Sequence, residues 1–292
     1  MRYVVLGAKG QLGRDLSPLL GPDVIPLTRA GLDLSNPTLA KAVLAQHRPD
    51  VVINCAAYNF VDLAEKEPET AFAVNALAVH HLARACSELS CRFVHCSTDY
   101  VFGAETGRTQ PYQETDAPGP ISVYGASKLA GEYLALNACA CSLVIRTCGL
   151  YGLHGTGGKK GNFLETMLRL GREGKPLRVV DDQQCTPSYT LDVATTIVSL
   201  IAKQAQGLFH VTNAGSCTWH QLAKHLFEAA QLAVNLTAIP SSGYPTPARR
   251  PAYSVLALDA LTKAGVAIPR PWEEAVAAYL KSRGGWRVEG GG

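Results

Sequence analysis

The pair in this sequence best equipped to move a proton is Tyr124 and Lys128, which stand four positions apart in Val123-Tyr-Gly-Ala-Ser-Lys128. On a helix that spacing puts both side chains on one face, one turn apart. A free phenol, with a pKa near ~10, relays protons poorly at neutral pH. An ammonium beside it favours the phenolate and lowers that value. A tyrosine tuned in this way can give its proton to a carbonyl oxygen while a separate donor delivers hydride to the carbon. A hydroxyl at the end of a strand, Ser97 or Thr98, can orient the same oxygen, and both follow the strand-like run at residues 92–96. Tyr-x-x-x-Lys by itself also describes many solvated helix surfaces, so its meaning depends on the surrounding elements.

Those elements alternate between strand and helix. Residues 2–6 are a buried-strand run, followed at once by Gly7-Ala-Lys-Gly10-Gln11-Leu12-Gly13 and a helix-like segment to about Leu20. Strand, glycine turn and helix form the context in which a Gly-rich motif holds a dinucleotide. Gly7 permits the tight turn, Gly10 lets the backbone approach a pyrophosphate at the helix N-terminus, and Gly13 allows close helix-to-strand packing. The spacing is G-x-x-G-x-x-G rather than the dehydrogenase G-x-G-x-x-G. A second strand at 23–27 leads into Thr28-Arg29. An acidic residue there bonds the ribose 2′-hydroxyl of NAD, whereas an arginine accommodates the 2′-phosphate of NADP. Arg29 therefore points to NADPH, while Asp33, near the adenine, keeps NADH open. Ser35 or Asn36 is the expected cap of the next helix, with Pro37 in its first turn.

Residues 51–57 form another apolar strand ending in the small Ala56 and Ala57, which suits a backbone that touches a cofactor beyond the strand's carboxyl end. A long helix is expected at 68–89, then strands at 92–96 and 142–147. Strands separated by helices predict an α/β fold with a Rossmann-type, doubly wound parallel sheet. Residues 1–150 are read as the NAD(P)-binding domain, with segments at about 180–215 returning to it. Residues 151–283 are read as a smaller α/β, mainly substrate-binding part, and 284–292 as a disordered Gly-rich tail. In the second half, the Gly-rich, basic loop at 151–162, with Lys159 and Lys160, reads either as a lid or as plain surface. Helices are expected at 162–172, at 191–203 and from a Ser216 or Thr218 cap to about Gln231, with strands at 177–180 and 208–212. Arg249 and Arg250 precede Pro251 in a Pro-rich loop, where a guanidinium matches a diphosphate.

Composition narrows the partners. The chain has 292 residues, 47% hydrophobic and 17% charged, enough for one large core or two modest ones. A net charge of +3 without long charge runs argues against nucleic acid or an anionic membrane as a main partner and fits a small acidic ligand. Nine cysteines without a C-x-x-C read as reduced thiols, and no metal-ligand set stands out. With no signal peptide and no apolar run of about 18 residues, a cytoplasmic protein is expected.

Taken together, several motifs carry a resemblance. They are Gly7-x-x-Gly10-Gln-Leu-Gly13, Asn54-Cys-Ala-Ala-Tyr58 with Val61-Asp62 and Ala64-Glu65, Val74-Asn75, Ser97-Thr-Asp-Tyr-Val-Phe102 and Tyr124-Gly-x-x-Lys128-Leu-Ala-Gly-Glu132. The set resembles the extended short-chain dehydrogenase/reductases and, more narrowly, the dTDP-4-dehydrorhamnose reductase family. Asn162-Phe163, Met167-Leu168, Val179-Val-Asp-Asp-Gln183, Thr186-Pro187, Asp192-Val-Ala194 and Arg250-Pro251-x-x-Ser254 continue it through the second half. The resemblance implies hydride transfer from NADPH or NADH to carbon 4 of a dTDP-linked 4-keto-6-deoxy sugar. Tyr124 is then the proton donor, Lys128 lowers its pKa and holds the nicotinamide ribose, and Thr98 bonds the substrate oxygen. Cofactor contacts fall to Gly7, Gly10, Gln11, Leu12, Gly13, Arg29, Asp33, Leu34, Ala56, Ala57 and Tyr58. Substrate contacts fall to Thr98, Asp99, Tyr124, Asn162 and Arg250. A homodimer is left open. One position departs from the pattern. The family usually carries a tryptophan near the sugar in a Ser-Trp-Val-Tyr-Gly-like run, and here Thr147-Cys-Gly149-Leu-Tyr-Gly152 puts Gly149 in its place. A wider pocket and another nucleotide-linked keto sugar are the expected consequences. A third reading is a non-catalytic, NADP-binding subunit similar to the regulatory β subunit of methionine adenosyltransferase.

Overall fold

The structure is a computed structural model that describes residues 1–34, 36, 38–154 and 161–284. The expected Ser35 cap and Pro37, the Lys159-Lys160 stretch and the tail beyond Gly284 lie outside the described residues.

Strands β1 (Tyr3–Leu6), β2 (Val24–Leu27), β3 (Val51–Asn54), β4 (Arg92–Thr98) and β5 (Leu143–Thr147) join an edge strand, Gly207–His210, in one six-stranded sheet. Every pairing is parallel, in the order Gly207–His210, β5, β4, β3, β1, β2. Val51, Val52 and Ile53 are fully buried, as are Leu143, Val144 and Ile145. Helices cover both faces, which is why these strands read as continuous apolar runs rather than alternating ones. One face packs α1 (Gln11–Leu19) and the helix Thr190–Ala202 through Leu12, Leu16, Val193 and Ile197. The other packs α2 (Thr38–His47), Ala78–Glu88 and Val123–Ala138 through Leu44, Leu82 and Ala135. The chain leaves β1 for β2 on one side and returns to β3 on the other. The crevice beyond the carboxyl ends of β1 and β3 is therefore the switch point where such sheets take their ligands.

A separate core gathers Tyr151 from the short strand Leu150–Tyr151 with Leu164, Leu168, Leu222, Leu226, Val276 and Tyr279 from the later helices Phe163–Arg172, Trp219–Ala229 and Trp272–Ser282. Leu177–Val180 pairs with Leu236–Ile239 in its own two-stranded sheet. Among the two candidates for the cap before Trp219, Thr218 is the residue used, in a reciprocal capping box with Gln221.

Three elements differ most from their sequence reading, and the first is β3, which ends at Asn54 rather than at Ala57. β4 runs through Thr98, two residues past its apolar core, because Ser97 and Thr98 still pair with Arg146 and Thr147 on β5. The helix expected at 68–89 is interrupted by a π-helical turn, Ala73–Leu77, between Pro68–Phe72 and Ala78–Glu88. The extra residue of a π turn reorients one side chain, and such turns concentrate at functional sites. Here the turn contains Asn75, 1% exposed.

Candidate active site

The glycine turn is built by backbone contact. Gly7 has φ +73°, and a Cβ on it would lie 2.8 Å from the Ala56 nitrogen. A Cβ on Gly13 would lie 2.5 Å from the Gly7 carbonyl oxygen. Only glycine permits this approach of the turn, α1 and the segment after β3. Gly10 is the N-cap of α1 and offers no side-chain cap, so the first N–H groups of the helix suit an anion. The Gln11 side chain turns the other way, donating to the Leu150 carbonyl at 3.4 Å. Ala57 is exposed, and the Tyr58 backbone is clamped by Asn75, whose side chain accepts from Tyr58 N at 2.8 Å and donates to Tyr58 O at 3.0 Å. Arg29, Asp33 and partly buried Leu34 follow β2. The Arg29 side chain is 84% exposed and paired with Asp33 at 3.2 Å.

Tyr124 opens the helix Val123–Ala138, which Ser122 caps by accepting from Gly125 N at 3.1 Å. A Cβ on Gly125 would lie 2.2 Å from the Tyr100 carbonyl oxygen, so glycine lets this helix rest directly on the turn after β4. The Tyr100 and Tyr124 rings meet edge to face at 5.8 Å. Thr98 donates to the Asp99 carboxylate at 3.1 Å and accepts from Tyr100 N at 3.2 Å, and its hydroxyl pulls the Tyr124 pKa down. Ser97 is not the site hydroxyl. It donates at 2.5 Å to Glu132, which Arg146 grips through two nitrogens at 2.7 and 2.9 Å.

The electrostatics differ from the sequence reading. Burial pushes the Tyr124 hydroxyl up to about 12, against the downward pull of the Thr98 hydrogen bond and with a further upward push from Asp99. The Lys128 amine, expected to lower Tyr124, is instead anchored on β4, donating to the Cys96 carbonyl at 2.6 Å with His95 Nε2 at 3.3 Å. Burial brings Lys128 itself down to about 8. Burial, Thr98 and Asp99 rather than Lys128 set the Tyr124 shift.

Asp99 is buried, and burial raises its carboxyl although Ser254 at 2.6 Å, the Cys148 thiol at 3.1 Å and Thr98 all donate to it. Asn162 does not present a free amide. It caps the helix Phe163–Arg172 and donates to Gln11 at 2.9 Å and the Gly152 carbonyl at 2.8 Å, tying the later half of the chain to the glycine turn. Arg250 lies near Tyr100, pulling its hydroxyl down against burial. Its guanidinium is held by both carboxylate oxygens of Asp62 at 3.0 and 2.9 Å and by the Ala248 carbonyl at 3.0 Å, whereas Arg249 is exposed. Sequence reasoning passed over Asn54, Asn75, His95, Cys148 and Ser254 as site residues. Asn54, Asn75 and Ser254 stood in the quoted motifs without an assigned role, and His95 and Cys148 were marked only by polarity inside apolar segments. The wider pocket expected at Gly149 is not open along its Cβ direction. Gly149 has φ +52°, and a Cβ there would lie 3.2 Å from Pro187 Cα and 3.4 Å from the Trp219 indole. Trp219 packs on Phe163 with ring centroids 4.9 Å apart.

The family model of the RmlD substrate binding domain matches residues 1–284. The chain belongs to that family. Among its relatives, the dTDP-4-dehydrorhamnose reductase of Streptomyces griseus is 39% identical over 291 residues, covering 94% of this chain and 91% of its own. The spore coat polysaccharide biosynthesis protein SpsK of Bacillus subtilis is 37% identical over 285 residues, covering 97% and 98%. The dTDP-4-dehydrorhamnose reductase of Bacillus anthracis, solved in complex with NADP, superposes with a TM-score of 0.91 at 36% identity, covering 96% of this chain and 99% of its own. The RmlD-family chain thus shares nearly all of its length, 94–97%, with these proteins.

Proposed function

We propose that the protein reduces the 4-keto group of a dTDP-linked 4-keto-6-deoxy sugar, converting dTDP-4-dehydrorhamnose to dTDP-L-rhamnose, with NADPH as reductant. The observation that carries the reading is the buried Tyr124 hydroxyl under the influence of Thr98 at the carboxyl end of β4. It lies on the same sheet edge as the Gly7–Gly13 turn, where a Cβ on Gly7 or Gly13 would collide with backbone. Relatives named as reductases of this sugar support it.

The turn fits a dinucleotide. Gly10, Gln11 and Leu12 would take the pyrophosphate on the N-terminus of α1, Ala56 to Tyr58 would line its other side, and Arg29 would meet a 2′-phosphate. Bound there, NADPH supplies the hydride that the keto carbon accepts. Tyr124 gives its proton to the oxygen of that carbonyl, so the products are an alcohol and the oxidised nucleotide. Held at about 12, the phenol is still a far stronger acid than the forming alcohol, since water itself has a pKa of about 15.7. Thr98 keeps the phenol aimed, and it can bond the keto oxygen once its own proton turns from Asp99 to the substrate. Arg250, braced by Asp62, would meet the diphosphate. A cytoplasmic homodimer belongs to the same reading, and light scattering of the purified chain checks the assembly.

Gly149 favours a second sugar. The indole beside it comes from the helix Trp219–Ala229, so the aromatic surface differs from the family's. The deciding assay incubates the purified chain with NADPH and enzymatically made dTDP-4-dehydrorhamnose and follows the absorbance of the reduced nicotinamide. Oxidation that exceeds a Tyr124→Phe control supports the proposal, and a rate equal to that control refutes it. Oxidation with other nucleotide-linked keto sugars alone selects the second reading.

A further inference from the structure

We propose that Asn54 and His95 are positioning residues for Lys128. Asn54 holds the imidazole in the tautomer that carries its proton on Nε2, and that N–H, aimed at the Lys128 amine, opposes the amine's charge. The inference rests on the catalytic reading of Lys128, but its first test needs no substrate.

Donors and acceptors decide the tautomer. Asn54 and His95 are register partners on β3 and β4, and both are fully buried. The Ala56 backbone N–H donates to Asn54 Oδ1 at 3.1 Å. That fixes the amide, so its NH2 end faces His95 Nδ1 at 3.2 Å. An amide NH2 only donates, so Nδ1 accepts, and the neutral ring carries its proton on Nε2. Burial, then the charge of Lys128, keeps this ring neutral well below the usual histidine range. Nε2 stands 3.3 Å from Lys128 Nζ, and Nζ donates to the Cys96 carbonyl at 2.6 Å.

An ammonium has three hydrogens and no lone pair. With Lys128 charged, two donors face each other inside the protein. With Lys128 neutral, Nε2–H donates to the amine, the amine donates to Cys96, and every group in the chain is satisfied. Flipping Asn54 does not relieve the conflict, because its NH2 would then face the Ala56 N–H. Four groups press on the amine: His95 and Cys96 from β4, Cys55 from the segment after β3, and Glu132 one turn along its own helix. Cys96, Glu132 and Cys55 favour the charge, and burial outweighs them to hold the amine near 8. A lysine poised there can take up and return a proton within one turnover, which a fully solvated ammonium does poorly.

The test reads the amine directly. The full chain is labelled with lysine carrying 15N at Nζ, Lys128 is assigned with Lys128→Arg, and the resonance is titrated by NMR. Wild type is expected to titrate well below an ordinary lysine. Asn54→Asp keeps the shape but replaces the NH2 with an acceptor. The carboxylate then takes the Nδ1 proton, Nε2 becomes an acceptor for the ammonium, and the Lys128 midpoint rises by about one unit or more. The new negative charge also acts through space, so the same substitution is made in His95→Phe, with His95→Gln as a second background should that variant not fold. Without the imidazole, most of the rise is expected to vanish. A midpoint unmoved by Asn54→Asp, or a rise equal in all backgrounds, overturns the proposal. The kcat profile against pH follows as a second readout, with its Lys128 limb moving in the same direction. A protein that oxidises NADPH with no keto sugar defeats the functional reading alone and leaves the NMR result standing.

Discussion

Removing the Asn75 side chain tests whether the cofactor loop and the proton-donor helix are held by one amide. Asn75 makes three hydrogen bonds from a 1% exposed position: to Tyr58 N at 2.8 Å, to Tyr58 O at 3.0 Å and to Ser127 Oγ at 3.0 Å. Ser127 in turn donates to the Tyr124 carbonyl at 2.8 Å. Asn75→Ala leaves both backbone groups of Tyr58 and one side of Ser127 without these partners. A net contribution of about 0.5–1.5 kcal/mol per bond makes the expected loss from three bonds about 1.5–4.5 kcal/mol. A domain of ordinary stability, about 5–15 kcal/mol, still folds after such a loss. Urea unfolding, extrapolated to water, measures the stability, and NADPH titration measures the loop. The dissociation constant is expected to rise about tenfold or more, the equivalent of about 1.4 kcal/mol, because residues 56–58 lose their fixed path. A variant within about 0.5 kcal/mol of wild type would falsify the claim that these three bonds carry weight in a buried site. A stability loss without any change in NADPH affinity would instead remove the loop from the cofactor site.

Three further outcomes are expected. Arg29→Asp weakens NADPH binding and leaves NADH binding little changed, measured by paired titrations, and equal weakening of both removes Arg29 from phosphate recognition. Trp219→Ala raises the KM for the keto sugar several-fold with the NADPH KM unchanged, and no change in either places the indole outside the sugar site. His210 is held down to about 3, first by burial and then by the Arg146 charge, from an ordinary 6.5. Its folded-state value is depressed, so the unfolded chain binds this proton more readily. The stability it contributes is complete above about pH 6.5 and falls as pH drops toward about 3. Urea midpoints for His210→Phe should therefore decline less between pH 6.5 and pH 4 than those of wild type, and parallel declines would rule this histidine out.

Much of the fold was legible because its determinants are short-ranged. A parallel strand buried on both faces must be apolar at every position, so Val51-Val-Ile and Leu143-Val-Ile announce themselves. A turn that needs φ +73° and backbone contact must be glycine, so Gly7 and Gly13 do too. The π turn at Ala73–Leu77 was not legible, and the interior amide it carries finds its partners, Tyr58 and Ser127, 17 and 52 residues away.

The same division runs through the site. Sequence alone determined the family, the parallel α/β fold and the presence of a tyrosine and lysine one helical turn apart, since each depends on residue type and local spacing. Tertiary structure alone decided which hydroxyl faces the tyrosine, because Ser97 and Thr98 are neighbours whose side chains point to opposite faces of β4. One meets Glu132 and the other meets Tyr124. It decided that Lys128 reaches back to Cys96 and His95 rather than toward the phenol, and that Arg250 and Asn162 spend their polar groups on Asp62 and Gln11. It also filled the side of Gly149 with an indole from seventy residues away. Hydrogen-bond partners and charge states are set by what the folded chain brings within about 3 Å, and no local pattern encodes that distance.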